Sequence, residues 1–202
     1  DLEVAAGERV LVTGEAGAGK STLLDLCFGL QRPARGQIEV DGVDLRMADL
    51  PALRDQVALV RAGDLVHASI LDNLRLAAPQ ASLATLRVAL SLVDLANAIA
   101  ALPDGLETVL APGGAPLSGA QARRLVLARA LAVQPRLLLI DGVLDGLQLA
   151  PSQHEALLEH IFAGDAPWTV LVVSEDPRVR ARCRRVLDLS SPARTEATWT
   201  AS

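Results

Sequence analysis

At 202 residues, half of them hydrophobic, the chain can bury a core of ordinary domain size without help from disulfides or metals. A formal net charge of −5, a pI near 5.2 and an aromatic content of 2% exclude an electropositive groove or base-stacking platform for nucleic acid. Only two cysteines occur, Cys27 and Cys183, and no secretory leader is visible, so packing thiols in a reducing, cytosolic setting are expected.

No apolar run reaches the roughly 18 uninterrupted residues that a membrane-spanning helix needs. Residues 9–13 are apolar and β-branched and enter a glycine-rich turn, after which 21–30 turns apolar-periodic; this predicts strand, loop and helix. Residues 37–40 predict a strand closed by the Asp41-Gly42 turn, and 57–60 a further strand. From 69 to about 100 the periodicity is helical, with Pro79 and Ser82 marking a break and an N-cap. A Gly- and Pro-rich loop at 102–116 precedes a predicted helix at 119–133. Beyond Pro135, the unbroken aliphatic run 137–140 has the pattern of a parallel strand covered on both faces. Helix 152–162, strand 169–173, helix 177–183 and strand 186–189 complete the series. Strands and helices alternate at both ends. One domain is expected, a mainly parallel α/β core (about 1–63 and 124–202) interrupted by a helical subdomain at about 64–123.

Two features read as bland. His67, His154 and His160 show no metal-ligand spacing. The arginines at 178, 180, 182, 184 and 185 read as a solvated face in preference to a site for acidic lipid or an acidic partner.

The segment Gly14-Glu15-Ala16-Gly17-Ala18-Gly19-Lys20-Ser21, followed by Thr22, has the spacing Gly, four residues, Gly-Lys-Ser/Thr, between a buried strand and a helix. At average residue usage a chain of this length carries the bare pattern by chance in somewhat under about 1 case in 100, so the pattern with its context marks a phosphate-binding loop. The glycines let backbone N–H groups face phosphates, and the helix N-terminus adds partial positive charge. Lys20 reaches the β- and γ-phosphates and the Ser21 hydroxyl ligates Mg²⁺, so binding is expected to depend on Mg²⁺.

Downstream, Leu117-Ser118-Gly119-Ala120-Gln121 precedes a helix, and the aliphatic strand 137–140 ends in Asp141. In order and spacing these elements resemble the Walker A loop, signature motif and Walker B strand of ATP-binding cassette (ABC) ATPases, over nearly the whole chain. Leu102-Pro103-Asp104-Gly105-Leu106, Gly113-Gly114 and Ser69-Ile70-Leu71-Asp72-Asn73-Leu74 look most like the cassettes of exporters. The resemblance implies a P-loop NTPase (RecA-like) fold that binds Mg-ATP, with Ser21 and Asp141 toward the metal. It implies head-to-tail pairing with a second nucleotide-binding domain, Ser118, Gly119 and Gln121 then serving the partner's ATP. It also implies attachment to the cytoplasmic face of a membrane through an exporter's transmembrane region.

Against that family pattern the sequence departs at several places. Gly142 stands where the catalytic carboxylate follows the Walker B aspartate, and Ala62 where the family has a glutamine. Glu175 stands at the switch-histidine position, and Asp145 lies in a short loop where the family has an aspartate. The segment upstream of the P-loop strand, which in the family supplies an aromatic for adenine, is missing from a chain that starts at Asp1 and contains no tyrosine. Loss of a positioned general base typically costs about 10² to 10⁴ in rate. Weak hydrolysis with retained binding is therefore expected, as in the degenerate half of an asymmetric exporter. Two alternatives stay open: an active homodimeric ATPase motor in which Glu175 or Asp145 is a substitute carboxylate, and a structural or regulatory module that has abandoned nucleotide.

Overall fold

The computed structural model describes residues 2–190. Its first strand, β1 (Arg9–Thr13), feeds the glycine-rich loop and α1 (Lys20–Cys27). A small antiparallel hairpin follows, β2 (Glu39–Val40) and β3 (Val43–Asp44), then the short α2 (Leu50–Arg54) and β4 (Val57–Arg61). Three helices come next: α3 (Ile70–Arg75), α4 (Leu83–Leu92) and α5 (Ala96–Ala100). The long α6 (Gly119–Val133) leads to β5 (Leu137–Asp141), α7 (Pro151–Phe162), β6 (Thr169–Val173), α8 (Pro177–Arg182) and β7 (Arg185–Asp188). Five strands form one parallel sheet in the order β4-β5-β6-β1-β7.

The interiors of β1, β4, β5 and β6 are unbroken apolar runs because both faces of the sheet are covered, polar residues standing only at strand ends, and their period of two divides the side chains between the faces. Val10, Val57, Leu139 and Leu171 point one way and enclose Leu24 of α1. Leu11, Ala58, Val60, Leu138, Ile140, Val170 and Val172 point the other way, into a larger core shared with α6, α7 and the helices between β4 and α6. Leu24 is fully buried and is the only buried residue of α1, so that one side chain, worth roughly 1.5 to 3 kcal/mol, anchors the helix behind the phosphate loop.

Helix α6 is buried on several sides, with Leu125, Val126, Leu127 and Ala128 all enclosed, because α3 and α4 pack on one flank and β4 on another. It starts at a capping box in which the Ser118 side chain and the Gln121 side chain each bond the other's backbone N–H. It stops where Gln134 turns left-handed (φ +51°) ahead of Pro135.

Several elements differ from the sequence expectation. Residues 37–40 yield only a two-residue strand, and it pairs with β3 apart from the main sheet. The helical stretch 69–100 has a second break at Val93 to Leu95, where Asp94 takes φ +54°. Helix α2 adds an element beyond those the sequence pattern predicts and buries none of its residues. Cys27 and Cys183 are free and half-buried as expected, and burial pushes both thiols up to about 11. The arginine run is not simply solvated. Arg178 pairs with Asp176, Arg182 with Glu155, and Arg185 with Glu8. No helix among the described residues is long and apolar enough to cross a membrane.

Candidate functional site

All strands of a parallel sheet end on one edge, and ligands of open α/β sheets bind outside those carboxyl ends. Here that edge gathers Gly14 after β1, Ala62 after β4, Gly142 after β5 and Ser174-Glu175 after β6. Register fixes the lateral order, Arg61 lying opposite Asp141 and Asp141 opposite Val173.

The loop between β1 and α1 carries three glycines at positive φ, Gly14 (+147°), Gly17 (+82°) and Gly19 (+90°). A Cβ at Gly17 or Gly19 would meet nothing within 4 Å. Backbone conformation, not crowding, therefore calls for glycine there, and the space in front of both stays open. At Gly14 a Cβ would sit 3.0 Å from that of Ala18, so close approach adds to the demand. Lys20 folds back on the loop, its Nζ donating to the carbonyls of Gly14 (2.6 Å) and Glu15 (2.9 Å). Ser21 and Thr22 are exposed at the first turn of α1. An open cradle, a lysine beside it and a helix N-terminus behind it fit a polyphosphate chain. The oxygen donors suited to Mg²⁺ are the Ser21 hydroxyl and the Asp141 carboxylate, which with phosphate and water make a hard-cation set.

Asp141 is not alone. Arg61 Nε donates to Asp141 Oδ2 at 3.0 Å, and Arg61 Nη2 donates to Asp25 Oδ1 on α1 at 2.8 Å. Burial pulls the guanidinium pKa down, but the hydrogen bonds to both carboxylates outweigh it and raise it. Nearby Asp64 is raised by burial, opposed by the charges of Arg129 and Arg61. The sequence pattern does not single out Arg61 and Asp25, because the register of β4 on β5 and the packing of α1 bring them together.

The remaining sequence candidates fall into two groups. Gly142 follows Asp141 with φ +65°, its N–H donating to Val173 O at 3.0 Å, and a Cβ there would meet nothing within 4 Å. Asp145 accepts from Ser174 Oγ at 2.5 Å and from the Glu175 N–H at 3.0 Å, tying the loop after β5 to the loop after β6. Glu175 is exposed. Ala62 is also exposed and starts a loop pinned by buried Asn73, whose amide donates to Val66 O (3.0 Å) and Ser69 O (2.9 Å) and accepts from Val66 N–H (2.9 Å). Ser118 and Gly119 are exposed at the free N-terminus of α6, Gln121 completing the cap one turn in.

The parallel sheet, the glycine cradle at its carboxyl edge and the strand-end aspartate define a P-loop domain of the α/β type. A family model described as "ABC transporter" matches residues 1–144, so the chain belongs to the ABC transporter family and is an ABC-type ATP-binding domain. The ATP-dependent lipid A-core flippase of Burkholderia orbicola is 36% identical over 196 residues, covering 94% of this chain and 32% of the relative. The alpha-hemolysin translocation ATP-binding protein HlyB of Escherichia coli O157:H7 is 36% identical over 148 residues, 73% of this chain and 21% of the relative. Among solved structures, a bacterial Atm1-family ABC exporter with ATP bound superposes with a TM-score of 0.83 at 31% identity, over 94% of this chain and 34% of that one. The chain thus spans about a third or less of these relatives, and it is homologous to exporters.

Proposed function

We propose that this domain binds ATP through residues 14–22, hydrolyses it poorly by itself, and pairs with a second ABC domain whose ATP it contacts through Ser118, Gly119 and Gln121. The observation that carries the proposal is Gly142. A left-handed glycine follows Asp141, and of the two carboxylates nearby, Asp145 is already committed to Ser174 and the Glu175 amide. Glu175, an anion, is a poor companion for a γ-phosphate. Binding draws on groups that are all present, namely the loop amides, Lys20, Ser21 and Asp141, so it survives where the chemistry does not. When Mg²⁺ is bound, Ser21 and Asp141 hold it, and it neutralises phosphate charge.

In this reading the helices α3 to α5, between β4 and α6, form with the loop to Ser118 and the first residues of α6, to Arg123, the lobe that presents the signature helix. The domain then works at the cytoplasmic face of a membrane, against the transmembrane region of an exporter, a reading supported by its likeness to a bacterial Atm1-family ABC exporter with ATP bound. The test is to mix the purified domain with a catalytically intact ABC nucleotide-binding domain and measure phosphate release. Stimulation that disappears with Gly119→Arg in this chain supports the reading. A stable mixed dimer with no stimulation would overturn it.

A further inference from the structure

At the strand edge where a nucleotide's cation belongs, this chain already carries one of its own. Arg61 ends β4, and the register of the sheet sets it opposite Asp141. Its guanidinium bridges Asp141 at 3.0 Å and Asp25 at 2.8 Å, and these two carboxyl groups are only 12% and 14% exposed. Asp25 lies four residues after Ser21 on α1, so it sits on the same helix face one turn deeper. The bridge therefore ties α1, one turn after Ser21, to the strand-end aspartate, and one of the two proposed metal donors, Asp141, is itself part of it.

We propose that Arg61 is a resident counter-cation that competes with Mg²⁺ for Asp141 and leaves ATP binding by this chain nearly independent of Mg²⁺. The inference rests on the nucleotide-binding reading given above. Its physical basis is charge. A guanidinium 3.0 Å from one carboxylate oxygen repels a divalent cation from the whole group, including the oxygen left open. Charge-assisted hydrogen bonds at both ends of a planar, always-charged group hold it in place. The same positive charge offsets two carboxylates that would otherwise repel a metal-free polyphosphate at this edge, so metal-free nucleotide loses less than it would beside an unpaired Asp141. Arg61 acts here as a positioning residue, through Asp141, and not on the reacting atoms.

The experiment is calorimetric titration of ATP into the full chain, in Mg²⁺ and in EDTA, for the unmodified protein, Arg61→Met and Arg61→Lys, with Lys20→Ala as the non-binding control. The quantity read is the ratio of the Kd in EDTA to the Kd in Mg²⁺. For the unmodified chain it is expected within about threefold. In Arg61→Met it is expected to rise by about tenfold or more, the equivalent of one hydrogen bond to a charged group, and Arg61→Lys is expected to return toward the unmodified ratio. A purely structural role for Arg61 would weaken both affinities together and leave the ratio unmoved, which would overturn the proposal. An unmodified chain with the strong Mg²⁺ dependence of Arg61→Met would overturn it equally, while still leaving ATP binding intact. Heat absent from every titration, in either buffer, would overturn both this proposal and the nucleotide-binding reading.

Discussion

Replacing Gly142 with glutamate puts a carboxylate at the position where the proposed function takes a base to be missing, and the structure sets both the gain and the cost. Room is available, because a Cβ at this position meets nothing within 4 Å. The backbone, however, sits at φ +65°, where an L side chain costs about 1 to 2 kcal/mol. For a domain of about 150 to 250 residues, each 1 kcal/mol moves Tm by roughly 2 to 4 °C, so Gly142→Glu should melt about 2 to 8 °C below the unmodified chain. Gly142→Ala shares the backbone cost and lacks the carboxylate, so it should melt alike and gain no turnover. A positioned base contributes about 10² to 10⁴ in rate. The lower end is expected here, since the left-handed backbone aims the new side chain poorly and Glu175 remains. Phosphate release would be measured at high protein concentration, with Lys20→Ala as the blank and melting followed by circular dichroism on the same samples. Equal turnover in the unmodified chain and in Gly142→Glu would refute the lost-base argument. A Gly142→Ala variant that melts at the unmodified temperature would refute the argument from φ.

Three further outcomes are expected. Asn73→Ala leaves the Val66 N–H without its acceptor, while the Val66 and Ser69 carbonyls keep the backbone N–H groups of Ala68 and Asn73, and should destabilise the chain by about 1 to 3 kcal/mol in denaturant titration. Ser118→Ala removes an N-cap and should cost about 0.5 to 2 kcal/mol, with any stimulation of a partner domain's turnover falling as well. His154 is held below its usual pKa of 6.5 by burial and by Arg178, against the opposing pull of Asp176 and Glu155. The folded state therefore binds fewer protons than the unfolded one between the lowered and the ordinary value. Stability should rise with pH through that window and fall as pH drops below about 6.5, and His154→Gln should flatten the difference in Tm between pH 5.5 and 7.5.

The sheet was legible where physics leaves the sequence little choice. Residues 10–12, 137–140 and 170–173 are aliphatic throughout because helices cover both faces, and no helical period runs through them. The phosphate loop was legible from its glycines, each now found at positive φ. Less was visible where local signals are weak. Helix α2 has five residues and buries none of them, so it left no periodic imprint. The break at Asp94 lies between buried Val93 and Leu95, and the continuous apolar character masked a left-handed turn. Arg61 and Asp25 meet across 36 positions of sequence, and Asp145 meets Ser174 across 29. Pairings of that kind follow from strand register and helix packing, which no window of sequence contains. That is why Asp145 was legible as a carboxylate but not as one already engaged.

The most direct measurement is the chemical identity of bound nucleotide over time. The chain, at a concentration well above its Kd, would be incubated with labelled ATP in Mg²⁺, separated from free nucleotide at intervals, and the bound label resolved into ATP and ADP, with Lys20→Ala alongside. The account predicts label retained by the unmodified chain alone and recovered as ATP. Bound ADP accumulating in the unmodified chain would contradict it, as would retention by Lys20→Ala.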